Sequence, residues 1–136
     1  MKRRIDPPEL APPVGFAHGW LVETPVQDTL YLAGQCAHDA EGRIVAPGDL
    51  VAQFDRALAN VAVVLAAAGM APEDLVQLEL FVRSRDDYVR HRKELGEVWR
   101  RRFGKHYPAM ALFEIAALLD EEALVEVRGV AVRVPD

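Results

Sequence analysis

The chain has a single cysteine, Cys36, so no internal disulfide can form, and a lone thiol fits a reducing compartment such as the cytoplasm. Long apolar runs are missing too. The longest, Val61 to Ala68, falls far short of the roughly 20 residues that span a bilayer, so no membrane-spanning helix and no membrane partner are expected. Lys2, Arg3 and Arg4 resemble the charged start of an export signal, but Asp6, Pro7 and Pro8 stand where its apolar segment would lie. Metal-ligand spacing is absent: His18, His38, His91 and His106 are scattered, and Cys36 has no second cysteine beside it. Glycine-rich phosphate loops and GxSxG elbows are also lacking. Acidic residues outnumber basic ones, 21 to 16, and the resulting net charge of −5 argues against a general nucleic-acid surface. The one basic cluster, Arg100, Arg101, Arg102 and Lys105, falls at the end of an expected helix, where cations complement the macrodipole.

What is present is a chain of 136 residues, 51% of them hydrophobic, enough for one domain with a real core. Residues 1–14 hold Pro7, Pro8, Pro12 and Pro13 and read as an extended arm. Strand-like runs at Phe16 to Thr24 and Thr29 to Cys36, joined across Pro25-Val26-Gln27-Asp28, predict a hairpin, and Arg43-Ile44-Val45 a short extended piece. Asp49 is placed to cap a first helix whose inner face carries Leu50, Phe54, Ala57, Leu58, Val61, Val64 and Leu65, with Gly69 as its stop. Leu75 to Arg83 alternates as a strand. Ser84, with Asp87 three residues on, opens a second helix ending at Gly104. Pro108 starts a further extended run, and an acidic turn (Asp120, Glu121, Glu122) leads to the last strand. There Val125, Val127, Gly129 and Ala131 share one face; Leu124, Glu126, Arg128 and Val130 share the other.

The expected fold is therefore α/β (α+β), a single mixed sheet with two helices packed on one face and one domain over 1–136. Leu32, Leu80, Leu112, Leu124 and Val130 would add apolar area to whichever face they share, and an uncovered apolar sheet face usually marks an oligomer interface. Glu126 and Arg128, interleaved with valines, are either a solvated surface, an ion pair with each other, or part of a site.

Several stretches together resemble one family. Leu30-Tyr31-Leu32-Ala33-Gly34-Gln35 resembles the L-(F/Y)-(V/I)-S-G-Q strand of the reactive intermediate deaminase family (RidA, also YjgF or L-PSP). Asn60-Val61 with Leu65-Ala66-Ala67-Ala68-Gly69 is similar to its N-(V/I)…L-x-A-A-G helix, and Leu78 to Val82 to its central strand. Tyr107-Pro108-Ala109 resembles its (F/Y)-P-A entry to a late strand, and Val125-Glu126-Val127 with Ala131 its (I/V)-E-(I/V)-x-A-x-A strand. The resemblance runs in order from about Gly15 to Val134.

It implies a chorismate-mutase-like subunit that assembles as a homotrimeric barrel, ligand clefts between subunits, and cofactor-independent hydrolysis of enamines or imines to 2-keto acids and ammonia. Carried onto this chain, it makes Glu126 the residue that positions or activates water. Gly34, Gln35 and Cys36 border the cleft, and Phe16 takes the place of a tyrosine. Met110 stands where the family's carboxylate-binding arginine belongs. Methionine supplies flexible apolar volume and no charge-assisted hydrogen bond. Either Arg128 supplies the missing guanidinium, or the substrate is larger, less polar and lacks the carboxylate. The alternatives are a non-catalytic ligand-binding or accessory trimer and, a distant third, an endoribonuclease. Cys36 reads more readily as a small buried hydrophobe than as a nucleophile, and His18 as a cleft-lining or a surface residue.

Overall fold

The computed structural model describes residues 1–135. Six strands form one sheet: β1 (Lys2–Ile5), β2 (Gly19–Glu23), β3 (Asp28–Gln35), β4 (Leu75–Val82), β5 (Ala109–Glu114) and β6 (Val125–Arg133). Three helices accompany them: α1 (Leu50–Ala67), α2 (Arg85–Arg90) and α3 (Arg92–Phe103). The strand order is β1-β2-β3-β6-β4-β5, so the last strand in sequence lies at the centre. Only β4 and β5 pair in parallel, and α2 with α3 makes the crossover that such a pair requires.

The helices cover one face. Leu30 and Leu32, Leu78, Leu80 and Val82, and Val125, Val127 and Ala131 are buried there against Phe54, Leu58, Val61, Val64 and Leu65 of α1 and Leu95, Val98, Trp99 and Phe103 of α3. The Asp49 carboxylate accepts a hydrogen bond from Ala52 N at 3.0 Å, and Gly69 follows at φ 72°, the left-handed turn that glycine takes without strain. By length and composition α1 is apolar enough to cross a membrane, but its apolarity is accounted for by the inner face it packs on the sheet. Gln53, fully buried on that face, makes three hydrogen bonds: its amide nitrogen donates to Ala46 O and Glu122 O at 3.1 Å each, and its oxygen accepts from Leu124 N at 2.8 Å. A buried amide satisfied this fully staples the loops before α1 and before β6 to the core.

Three expectations change. The proline-rich arm does not begin free: Lys2–Ile5 pairs with β2, from Lys2 opposite Val22 to Ile5 opposite Gly19. Ile5 alone of the four is buried, which is why the segment carries no alternating signal. The second helix breaks at His91, whose Nδ1 lies 2.9 Å from Asp87 O and so competes for the carbonyl that its own backbone N–H also reaches. The apolar residues are also shared out differently. Leu32 and Leu80 lie under the helices, and the open face carries Trp20, Tyr31, Val130, Phe81 and Phe113. Phe81 stacks on Phe113 with ring centroids 5.5 Å apart. The basic cluster behaves as a helix end, with Arg102 bound to Asp55 of α1 at 2.7 Å.

Gly129 pairs with Leu78 of β4, next to an irregularity in register between Leu75 and Gln77. A Cβ there would collide with the Gln77 carbonyl oxygen, a backbone atom that cannot swing aside. Gly129→Ala is expected to lower unfolding stability by about 1–3 kcal/mol, the usual cost of overpacking, as a reduced urea midpoint at unchanged slope.

Candidate active site

The site begins with an irregularity in β3. Leu32 pairs with Gly129 of β6 and Gln35 pairs with Val127, so three steps on β3 match two on β6. The extra residue is a bulge, a device that bends a strand and re-aims the side chains that follow it. It brings the end of β3 around Glu126. A Cβ on Gly34 would stand 2.6 Å from the Glu126 carboxyl carbon, so only glycine lets the carboxylate lie against this backbone. Cys36 Sγ donates to Glu126 Oε1 at 3.4 Å. Burial, followed by the Glu126 charge and this hydrogen bond, pushes the Cys36 thiol well above the usual range. The thiol therefore stays protonated and serves as a donor to the carboxylate; it is not an activated nucleophile.

These residues line a cavity of about 550 Å³ together with Phe16, His18, Gln35 and Asn60. Its outer wall is the arm and the residues after it, Leu10, Ala11, Pro12, Val14 and Phe16, with Leu119, just before the acidic turn, also in the lining. The arm is tied down from both sides. Asp6 accepts from His18 N and from Arg4 Nε, each at 2.9 Å, and Arg4 also donates to Phe16 O at 3.0 Å. The His18 amide, then the Arg4 guanidinium, hold the Asp6 carboxyl below its ordinary value. His18 is buried. The Gln35 side-chain nitrogen lies 3.1 Å from its Nδ1, and its Nε2 lies 2.8 Å from Ala11 O. With the amide donating to Nδ1, the ring carries its proton on Nε2, where the carbonyl accepts it. The Phe16 ring meets this imidazole edge-on at 5.4 Å.

Of the residues expected at the site, Phe16, Gly34, Gln35, Cys36 and Glu126 converge on this cavity. Two do not. Arg128 stays on the open face, its Nε 2.9 Å from Glu79 Oε1 and its guanidinium over the Phe81 ring at 5.2 Å, so it neither pairs with Glu126 nor reaches the cavity. Glu79 lies directly across the strand pair from Arg128, nearer than any residue two places along the same strand. Met110 pairs with Leu78 in register, which turns it to the helix side of the sheet, whereas Glu126 is level with Phe81 on the open side. Met110 lines a smaller separate pocket with Tyr88, Arg92, Trp99 and Tyr107. Glu114 has a structural part, accepting from Arg85 N at 2.9 Å.

Other residues reach the cavity that sequence reasoning did not single out. His38 and Asp120 line it, paired Nε2 to Oδ2 at 2.7 Å although 82 residues apart. Asn60, quoted above only as a motif residue, is buried in α1 and donates to Cys36 O at 3.0 Å and His38 O at 3.1 Å. A lone buried asparagine on an apolar helix face was the signal available for it. Among the described residues no group of three or more His, Cys, Asp or Glu could hold a metal ion, and no Lys or Arg forms a salt bridge with Glu126.

Comparison with known proteins adds relatives to this geometry. The family model "Endoribonuclease L-PSP" matches residues 11–133. A goat protein named 2-iminobutanoate/2-iminopropanoate deaminase is 31% identical over 111 residues, covering 81% of this chain and 77% of the goat protein. Protein DfrA of Myxococcus xanthus is 29% identical over 132 residues, 97% of each chain. A solved structure from Thermotoga maritima superposes with a TM-score of 0.84 at 26% identity, covering 99% of this chain and all of that one.

The Cys36–Glu126 contact has a measurable consequence. Thiol alkylation proceeds through the thiolate, so a thiol held above its ordinary range reacts slowly at any given pH. Glu126→Gln removes the charge that disfavours the thiolate while leaving the burial. Cys36 of that variant is expected to react with iodoacetamide faster than in the wild type, yet more slowly than an exposed thiol, across pH 7–9. Equal rates in the two proteins would mean that the contact is not made in solution.

Proposed function

The chain belongs to the endoribonuclease L-PSP family, the RidA/YjgF group, and from that premise we propose that it hydrolyses an enamine or imine to a carbonyl compound and ammonia, without a cofactor. The observation that carries this reading is the Glu126 carboxylate, held by the Cys36 thiol against Gly34 inside a largely apolar cavity and free of any paired lysine or arginine among the described residues. A carboxylate so placed can take a proton from water as the water attacks a bound C=N carbon. Apolar side chains beside it strengthen the charge interactions of the carboxylate. The goat relative's name supports the reaction class, and it refers to small 2-imino acids.

A 2-imino acid bound here must be held by its side chain more than by its carboxylate. A carboxylate gripped by arginine gains about 1.5–3 kcal/mol per charge-assisted hydrogen bond; Met110 offers none, and Arg128 is engaged with Glu79. Leu10, Val14, Phe16 and Leu119 instead favour a larger, apolar substituent on the reacting carbon. Met110 and Glu126 lie on opposite faces of the sheet, so one substrate touches both only where two copies meet. A homotrimer with its clefts between subunits meets that condition, and the open face of Trp20, Tyr31, Phe81 and Phe113 supplies apolar area for it.

The test is to generate imines in situ from a series of amino acids with an amino-acid oxidase, catalase present, and to follow how fast each 2-keto acid appears. Wild type is expected to accelerate hydrolysis of the imines of leucine and phenylalanine more than that of alanine. Glu126→Gln should lose about 100-fold or more in kcat. Gly34→Ala should fold, because a flexible carboxylate end gives way to the new methyl group, yet lose activity in the same direction. Met110→Arg should gain on the alanine imine. No acceleration of any imine, with tight binding of apolar keto acids, would replace this reading with that of a ligand-binding accessory protein.

A further inference from the structure

The cavity holds a second pair of titratable groups for which the proposed water activation has no use. His38 and Asp120 come from turns 82 residues apart and meet at 2.7 Å, both lining the space that Glu126 lines. Both backbones are fixed. His38 O accepts from Asn60 of α1 at 3.1 Å, His38 forms an isolated bridge with Ile44, and Asp120 O accepts from Ala123 N at 3.0 Å. Because a carboxylate only accepts, the proton between the two lies on His38 Nε2. Nδ1 then keeps its lone pair in the neutral ring, and it has no hydrogen-bond partner among the described residues. A carboxylate that fixes an imidazole's orientation and tautomer in this way equips the other nitrogen to give and take protons.

We propose that His38, positioned by Asp120, is a second proton-transfer residue of the cavity, handling the proton that Glu126 does not. This rests on the deaminase reading above. With Glu126 ionised and His38 protonated, the cycle balances. As the water oxygen bonds to the C=N carbon, Glu126 takes one water proton; the π pair moves to nitrogen, which takes a proton from His38 Nδ1. The product is a carbinolamine. The nitrogen then receives the proton from Glu126, and the C–N bond breaks with its electron pair leaving on ammonia. The hydroxyl proton passes to His38 as the carbonyl forms. Both residues return to their starting states, with water consumed and no other reactant needed. The remaining charged and titratable groups around His38 include His18, Cys36 and Glu126 in the cavity, Asp39 and Arg43 of its own turn, and Arg56, which hydrogen-bonds Asn60 at 3.4 Å.

A ring that merely ties two turns together would survive replacement by glutamine with kcat intact, which separates the two roles. In the oxidase-coupled assay His38→Gln is expected to lose about 100-fold in kcat with KM changed less than about threefold. Asp120→Asn should lower kcat in the same direction. A second readout needs no substrate: ¹⁵N shifts of the neutral His38 ring should show the fixed Nε2–H tautomer in wild type and a mixture in Asp120→Asn. If wild type is active and His38→Gln keeps its kcat, the assignment of His38 is overturned while the deaminase reading stands. If wild type hydrolyses no imine, both fall. A wild-type ring exchanging freely between tautomers overturns the positioning by Asp120.

Discussion

The architecture of the cavity depends on how closely a backbone approaches a carboxylate. Glu126 sits on the central strand of the sheet, and the neighbouring strand can lie against its side chain only because Gly34 has no Cβ. The bulge between Leu32 and Gln35 makes the approach possible by adding one residue opposite β6. Through the bulge and one residue past its own end, β3 brings a glycine, a glutamine and a cysteine to one place. Glycine leaves room for the carboxylate. Glutamine sets the histidine tautomer of the arm, and cysteine supplies a donor that stays protonated.

From that point the structure works outward. Asn60 reaches from α1 to the carbonyls of Cys36 and His38 and holds the chain just beyond the bulge. The proline-rich arm is kept over the opening by the Arg4–Asp6 pair and the His18 amide, so β1 serves the site as an anchor for its lid-like wall. Most of that wall is apolar, while the reacting end is polar and hydrogen-bonded. Such a division suits a substrate with one polarised bond on an otherwise apolar body.

How much of this could be read from the sequence varies with the range of the interaction. The α1 helix was legible because cap, apolar spacing and terminal glycine are all local: Asp49, the Phe54-Leu58-Val61-Leu65 stripe, and Gly69. The two faces of β6 were legible from alternation, with Val125, Val127 and Ala131 buried as expected. The grouping of Phe16, Gly34, Gln35, Cys36 and Glu126 was expected from family resemblance alone, and all five line one cavity. Register between strands was not legible. Alternation says that Glu126 and Arg128 share a face, but not that Glu79 of β4 stands across from the arginine. The same gap sent Met110 to the helix side, since the pairing of Met110 with Leu78 is a property of two distant strands. The His38–Asp120 pair lay beyond sequence reading for that reason as well, and β1 because a Lys-Arg-Arg-Ile segment has a single buried residue and thus no period.

The most direct measurement is a crystal structure of the protein with a bound apolar 2-oxo acid, such as the keto acid of phenylalanine, as a mimic of the product. The oxo carbon is expected beside the Glu126 carboxylate and the Gly34 backbone, with the apolar end against Phe16 and Leu10. A ligand seated only in the pocket of Met110, Arg92 and Trp99, with the Glu126 cavity empty, would contradict that placement.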